Sequence, residues 1–410
     1  MNGKEVKEKE EDKGEASGNA DYDRAELPDL LRIYYSRLFP YDKYYDWLEY
    51  GDRDTFSHRE FSFTLEDDVY VRYQSFESRQ ALEDSVRKTR PYKIDVGAIF
   101  SVRPSMRSRV QQASFKALRK ELVFDIDMTD YDDIRTCCQG ANICGKCWKF
   151  MTIAIRILDR ALREDFGFLH LLWVYSGRRG VHCWVCDEEA IQLSQPARCA
   201  IVEYLTLVQG GEHQTRKVRL RTPLHPSISS AIKIARRYFE DLVEEQGFLD
   251  DAERWGKMLA LVPETKRKML QQEWEGRPRE SGRDRWRRLW TEVQDVTKNE
   301  IMLQWCYPRL DANVTKGINH LLKSPLCVHP KTGTIPLVSR IEPNSHTPFL
   351  PSLLPLFPSY LPSLPLSLFS STPLSSCRQD MCSYQHSGIW THLILLQSPL
   401  SSSCVQSWIS

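Results

Sequence analysis

The sequence predicts an α/β chain of the α+β kind, in which strands from separated segments assemble into a sheet and a helical insertion interrupts them. Three observations predict it. Residues 121–128 read Glu-Leu-Val-Phe-Asp-Ile-Asp-Met, a strand pattern. Residues 171–185 read as two apolar strands around the turn Ser176-Gly-Arg-Arg-Gly180. Residues 188–300 favour helix, with few strand signals.

Along the chain, residues 1–25 form a charged tail; its first twenty are rich in Lys, Glu and Gly, with almost nothing to bury and no apolar leader stretch. Apolar spacing predicts a helix over 27–39, with Pro28 at a tolerated early position. Alternation predicts strands at 61–63 and 69–73, and Lys93 and Asp95 fall on another. After a cysteine loop at 137–147, residues 148–166 predict a helix with Ile153, Ile157, Leu158, Ala161 and Leu162 on one side and Gly167 as its stop. Inside the insertion, helices are expected over 201–208, 230–246 and 286–301. The organisation is therefore a first core part at 26–187, the insertion at 188–300, a second core part at 301–335 and a Leu/Pro/Ser-rich tail at 336–410. A chain of 410 residues with 41% hydrophobic content can bury one large core or two.

Three motifs carry chemistry. Asp125 and Asp127 sit two apart on a strand, so both carboxylates project from one face. Two like charges that close repel unless a divalent cation neutralises them, and Mg²⁺ or Mn²⁺ suits such oxygen donors. Cys137, Cys138, Cys144 and Cys147 lie on one short, turn-rich segment, which matches the tetrahedral demand of a structural Zn²⁺. Adjacent Cys137 and Cys138 cannot easily form a disulfide with each other. In the turn, Gly177 and Gly180 aim backbone N–H groups at an anion, while Ser176, Arg178 and Arg179 supply neutral and charged donors and His182 on the returning strand adds another. Such a loop cradles a triphosphate.

The net charge of +1, from 56 basic and 55 acidic residues, excludes a globally cationic nucleic-acid binder and leaves only a local basic surface. Arg277, Arg279, Arg283, Arg285, Arg287 and Arg288 cluster around Trp286 and read as a solvated charged linker rather than as a site.

Together these residues resemble the small, catalytic subunit of eukaryotic DNA primase, of the archaeo-eukaryotic primase superfamily. The likeness runs from about 26 to about 334. It includes Leu-Arg-Ile-Tyr-Tyr at 31–35, His-Arg-Glu-Phe-Ser-Phe-Thr-Leu at 58–65, Pro-Tyr-Lys-Ile-Asp-Val-Gly at 91–97, residues 121–133, the four cysteines, residues 175–187 and the long block 310–325. The resemblance implies a mixed-sheet catalytic core with a structural zinc loop and a helical insertion. It implies Asp311 as a third metal-binding carboxylate beside Asp125 and Asp127, with a pair of Mg²⁺ or Mn²⁺ ions between them. His320, Lys323 and His329 would surround the incoming nucleotide. Glu60 and Arg72 would serve near the initiating nucleotide, Glu60 as an active-site residue, and Lys93 and Asp95 are adjacent to that site.

The activity so implied is de novo synthesis of short RNA primers from NTPs on a single-stranded DNA template. The implied partners are the iron–sulfur large primase subunit and the DNA polymerase α complex, in the nucleus, with no membrane. Two other readings stay open at this stage: an Asp-x-Asp glycosyltransferase, which leaves the cysteines unexplained, and a non-catalytic or unstable subunit isoform. The second arises because residues 343–377 contain no Asp, Glu, Lys or Arg and are interrupted by Pro348, Pro351, Pro355, Pro358, Pro362 and Pro365. That stretch does not read as a membrane helix. It reads as an alternative or mispredicted end in place of the family's own continuation.

Overall fold

The computed structural model describes residues 23–211, 214–335 and 338–339; the tail at 340–410 lies outside the described residues. The described chain divides into two units, one of residues 23–120 with 321–335 and one of residues 121–320 with 338–339.

In the first unit, α1 (Leu27–Ile33) carries Pro28 in its first turn, where a missing N–H costs nothing, and widens into a π-helical turn over Tyr34–Leu38. Tyr34 and Tyr35 of that turn meet Phe39, and Phe39 meets Tyr41 and Tyr44 at ring-centroid distances of 4.8–5.9 Å. After α2 (Tyr41–Glu49) and α3 (Arg53–Ser57), strands β1 (Arg59–Thr64) and β2 (Tyr70–Gln74) precede α4 (Arg79–Thr89), then β3 (Lys93–Phe100) and β4 (Ala117–Arg119). The sheet runs β2-β1-β3-β4, and the short strand Leu322–Lys323 pairs with β3 as a fifth member.

The second unit opens with β5 (Leu122–Asp127), continues through the cysteine loop into α5 (Gly145–Glu164), and returns by β6 (Leu171–Tyr175) and β7 (Gly180–Val185). Its sheet runs β5-β7-β6 with Val338–Ser339 at the far edge. The 20-residue α5 buries Phe150, Met151, Ile153, Ala154, Ile157, Leu158, Ala161 and Leu162 in one core with Phe124, Ile126, Trp173, Tyr175, Val181 and Cys183 of the sheet. Each of the larger side chains so buried contributes about 1.5–3 kcal/mol, which locks β5 in place. The helical segment follows as α6 (Glu188–Ile191), α7 (Gln195–Leu205), α8 (Pro226–Gln246), α9 (Ala252–Leu259), α10 (Glu264–Glu275), α11 (Gly282–Glu292) and α12 (Asp295–Cys306), and then α13 (Ala312–Lys316). Among the described residues no helix is long and apolar enough to cross a membrane.

The α+β class expected from the sequence holds, and four details differ. Among the described residues the strands form two sheets, and every ladder is antiparallel rather than mixed. The helix expected from 148 begins at Gly145, since Cys144 already caps it; Gly167, at φ 77°, lies beyond its end, where Phe168 N–H bonds back to Leu162 O. The helix expected over 286–301 is two helices, because Val293 is extended and Gln294 starts a new one. The arginines around Trp286 are not a solvated linker. Arg283, Arg287 and Arg288 on α11 meet Asp241 and Glu244, Glu240, and Glu273 and Glu292 respectively, while buried Arg285 donates to the carbonyls of Leu249, Asp250 and Arg277.

Candidate active site and metal centre

Strands β5 and β7 pair in register, Asp125 opposite His182 and Asp127 opposite Gly180. Because side chains alternate along β5, Phe124 and Ile126 enter the core while Asp125 and Asp127 point the other way. Asp127 is strongly held. Its Oδ1 accepts from Thr129 N–H (2.9 Å) and Thr129 Oγ1 (2.8 Å), and Arg179 Nε donates to the same carboxylate at 2.9 Å. Asp125 is not so compensated: His182 Nε2 stands 3.6 Å from its Oδ1, longer than a direct hydrogen bond. Burial, then the charges of Asp127, Asp311 and Asp130, push its carboxyl up to about 7.

Asp311 reaches this strand through its backbone, its N–H donating to Asp125 O at 3.1 Å, and its side chain caps α13 by accepting from Asn313 N–H at 3.0 Å. A cavity of about 410 Å³ opens beside it, bounded by Asp130, Lys217, Arg309 and Asn313. Asp125 and Asp127 share one face of β5 and the charge of Asp311 acts on Asp125, so the donor set is carboxylate oxygen under mutual repulsion. Those residues fit a hard divalent cation.

The turn between β6 and β7 is closed by Ser176 N–H to Gly180 O (2.8 Å) and Gly180 N–H to Ser176 Oγ (3.0 Å), and Tyr175 donates its hydroxyl to Arg178 O (2.8 Å). Gly177 sits at φ 90°, and a Cβ on Gly180 would come 2.5 Å from Ile126 O, so both glycines are required by backbone geometry. His320 follows α13, its N–H bonded to Gly317 O at 3.1 Å. This unit therefore holds Asp125, Asp127, Asp311, Ser176, Gly177, Arg178, Arg179, Gly180, His182 and His320.

The sulfurs of Cys137, Cys138, Cys144 and Cys147 lie within 4.8 Å of one another. A tetrahedral zinc with ordinary Zn–S bonds has sulfur–sulfur edges of about 3.8 Å, so small movements would close the site and leave no open position. The surroundings are built for it: Gln246 Nε2 donates to Cys137 Sγ at 3.3 Å and its Oε1 accepts from Thr136 N–H at 2.9 Å. Arg135, its side chain fully buried, donates to the carbonyls of Gly140 and Asn142 and fixes the loop. Burial pushes Cys138 up to about 11; burial also opposes ionisation of Cys144, but N–H donors at the start of α5 and the neighbouring thiols bring it down to about 7.

The other predicted residues lie in the first unit. Glu60 on β1 is buried and accepts from Arg72 Nε (3.1 Å), Arg72 Nη2 (3.3 Å) and Tyr73 N–H (3.3 Å). Lys93 pairs with Asp95 at 3.3 Å, and Tyr70 donates its hydroxyl to Asp95 at 3.1 Å. Lys323 stands opposite Asp95 in the ladder with β3, and burial brings its ammonium down to about 8. His329 occupies the mouth of a tight turn, bridged to Thr334. Sequence reasoning missed Thr129 and Asp130; the signal available was a short Asx turn directly after Asp127.

A family model described as DNA primase small subunit matches residues 124–340. The chain is 41% identical over 332 residues to the DNA primase small subunit of Schizosaccharomyces pombe, covering 75% of this chain and 72% of that protein. It is 40% identical to the one from Drosophila melanogaster, covering 77% of each, and 35% identical to the one from Saccharomyces cerevisiae, covering 74% of this chain and 79% of that protein. The polymerase domain from Mycobacterium tuberculosis Ligase D in complex with DNA aligns at 13% identity and a TM-score of 0.26, over 48% of this chain and 68% of that one, too weak a likeness to carry an argument.

Proposed function

Because this chain belongs to the DNA primase small subunit family, we propose that it makes short RNA primers de novo on single-stranded DNA, with Asp125, Asp127 and Asp311 as its metal-binding carboxylates. It is a nucleotidyltransferase of the DNA-directed RNA polymerase type, acting in DNA replication with a DNA template and NTPs. The glycosyltransferase reading of Asp-x-Asp falls with that membership, and the non-catalytic reading is not favoured. The observation that supports the residue assignment is the setting of Asp125, whose carboxyl is pushed up to about 7 by burial first and then by the charges of Asp127, Asp311 and Asp130.

Mg²⁺ or Mn²⁺ bound by these carboxylates would supply Lewis acidity toward the attacking 3′-hydroxyl and the departing pyrophosphate. Everything else belongs to the chain. Asp127, fixed by Thr129 and Arg179, presents its carboxylate in one orientation and so needs little reorganisation. Ser176, Arg178, Arg179, His182 and His320 orient and neutralise a triphosphate for in-line attack, while the Gly180 N–H is engaged within the turn by Ser176 Oγ; by the family resemblance Lys323 and His329 of the first unit are nucleotide-binding residues too. Glu60 holds Arg72 in one rotamer, and Arg72 serves the initiating nucleotide, with Lys93 and Asp95 close to that role. The four cysteines hold a structural Zn²⁺ that fastens β5 to α5. The large primase subunit and the DNA polymerase α complex are its proposed partners, in the nucleus.

The test is unprimed NTP incorporation on single-stranded DNA by the full chain. Asp125→Ala should abolish product without lowering the melting temperature, and Asp127→Ala should abolish product with some loss of stability, because it strands Arg179 and the Thr129 N–H. Near-normal dinucleotide synthesis by either variant would refute the assignment.

A further inference from the structure

We propose that Arg107, Arg109 and Lys116 form a ledge that binds the phosphate backbone of single-stranded nucleic acid. The inference rests on the polymerase reading and adds a surface to it. Its starting point is strain. β2 carries a bulge opposite Ser62, between the pairs Phe61–Gln74 and Phe63–Val71, and Tyr73 in it stands at φ 60°, a conformation bulky residues avoid. Glu60 holds the bulge by accepting from Tyr73 N–H and Arg72. Strain maintained by a buried acid points to a use for what the bulge presents.

What it presents is a ring beneath a guanidinium. Arg107 lies 4.2 Å over the Tyr73 ring and 5.9 Å from that of Phe115, while Phe115 stacks on Phe100 at 4.3 Å. The segment bearing Arg107 and Arg109 is the 3-10 turn Pro104–Arg109, tied to β2 where Ser105 N–H donates to Ser75 Oγ at 3.2 Å. Lys116 is fixed by Ser101, whose Oγ accepts its N–H at 3.0 Å. The side chains are thus mounted on a pinned backbone, and Tyr73 acts as a positioning residue that lays the Arg107 plane flat.

Charge sets this ledge apart. Residues 97–120 contain no Asp or Glu. Arg103 is neutralised by Glu77, but Arg107, Arg109 and Lys116 are exposed and have no carboxylate partner among the described residues. The arginines of α11 show the opposite condition, each of Arg283, Arg287 and Arg288 being met by acids. Unneutralised cations gain most from a polyanion, and a guanidinium backed by a ring offers its free plane to a base as well as its edge to a phosphate.

The experiment is fluorescence anisotropy of the full chain with labelled single-stranded DNA, without NTP, across a salt series. The variants are Arg109→Ala/Lys116→Ala, at two exposed positions whose loss should not disturb folding, and the same pair with Arg107→Ala, both checked for unchanged melting. The triple variant should bind about tenfold more weakly, and its slope of log affinity against log salt should fall by about 2, as three lost single-strand phosphate contacts require. The KM for NTP should stay within about twofold. Unchanged affinity and slope would overturn the proposal while leaving primer synthesis, and its dependence on Asp125, intact. A raised KM with unchanged DNA binding would assign the ledge to a free triphosphate, and equal competition by poly-glutamate at matched charge would assign it to acidic protein; either result also overturns it.

Discussion

Asp125 and Glu60 are both strand-borne acids, one in each unit, and their surroundings are opposite. Glu60 is buried with its countercharge built in, two nitrogens of Arg72 and the Tyr73 N–H on one carboxylate. Asp125 faces Asp127, Asp311 and Asp130, with its nearest cationic candidate, His182, 3.6 Å away. An acid that the protein has already neutralised orients its partner. An acid that the protein has crowded with like charge is arranged for something that comes from outside.

The largest effect that tests this contrast is on catalysis. Asp125→Ala should remove several kcal/mol of transition-state stabilisation, a rate loss of about 10³-fold or more in unprimed synthesis, with no loss of melting temperature. Glu60→Ala should behave differently and lose stability as well, by about 1–3 kcal/mol in denaturant unfolding, because it strands Arg72 and the Tyr73 N–H. Equal stability of the two variants would erase the distinction.

The cysteine loop sharpens the comparison from the metal side. Cys144→Ser should lower zinc content and melting temperature together, whereas brief EDTA should stop synthesis reversibly and leave about one zinc per chain, measured by elemental analysis. Next in size, Arg179→Ala should raise the KM for NTP about tenfold with little change in DNA affinity measured without nucleotide.

A further effect concerns pH. Asp125 has its folded-state pKa raised from 3.8 to about 7. Its contribution to the stability of the metal-free protein is therefore fully present below about pH 4 and is lost as pH rises through about 7. Asp125→Asn should flatten that decline in urea melts, and added Mg²⁺ should offset it in the parent chain. A decline unchanged by Asp125→Asn would place its origin elsewhere.

The same division governs the two arginine-rich stretches. In sequence, 277–288 looks like the more basic, aromatic-studded surface, yet α8 and α10 bring Glu240, Asp241, Glu244 and Glu273 to it. Residues 103–116 look unremarkable, and the acid they meet among the described residues is Glu77. A basic run cannot be judged from its own residues, because the acids that neutralise it come from other elements.

What the sequence by itself determined is what covalent spacing imposes. A two-residue period places Asp125 and Asp127 on one face of β5. A short linker brings four thiols within 4.8 Å. Gly177 and Gly180 allow a turn that other residues would strain or block. The tertiary structure alone decided which charges meet. It delivered Asp311 to the backbone of Asp125, set Glu60 against Arg72 across a bulge, paired the arginines of α11 and left Arg107, Arg109 and Lys116 without a carboxylate among the described residues. The reason is physical: side-chain direction is fixed by local backbone geometry, whereas desolvation and ion pairing depend on which distant segment packs alongside.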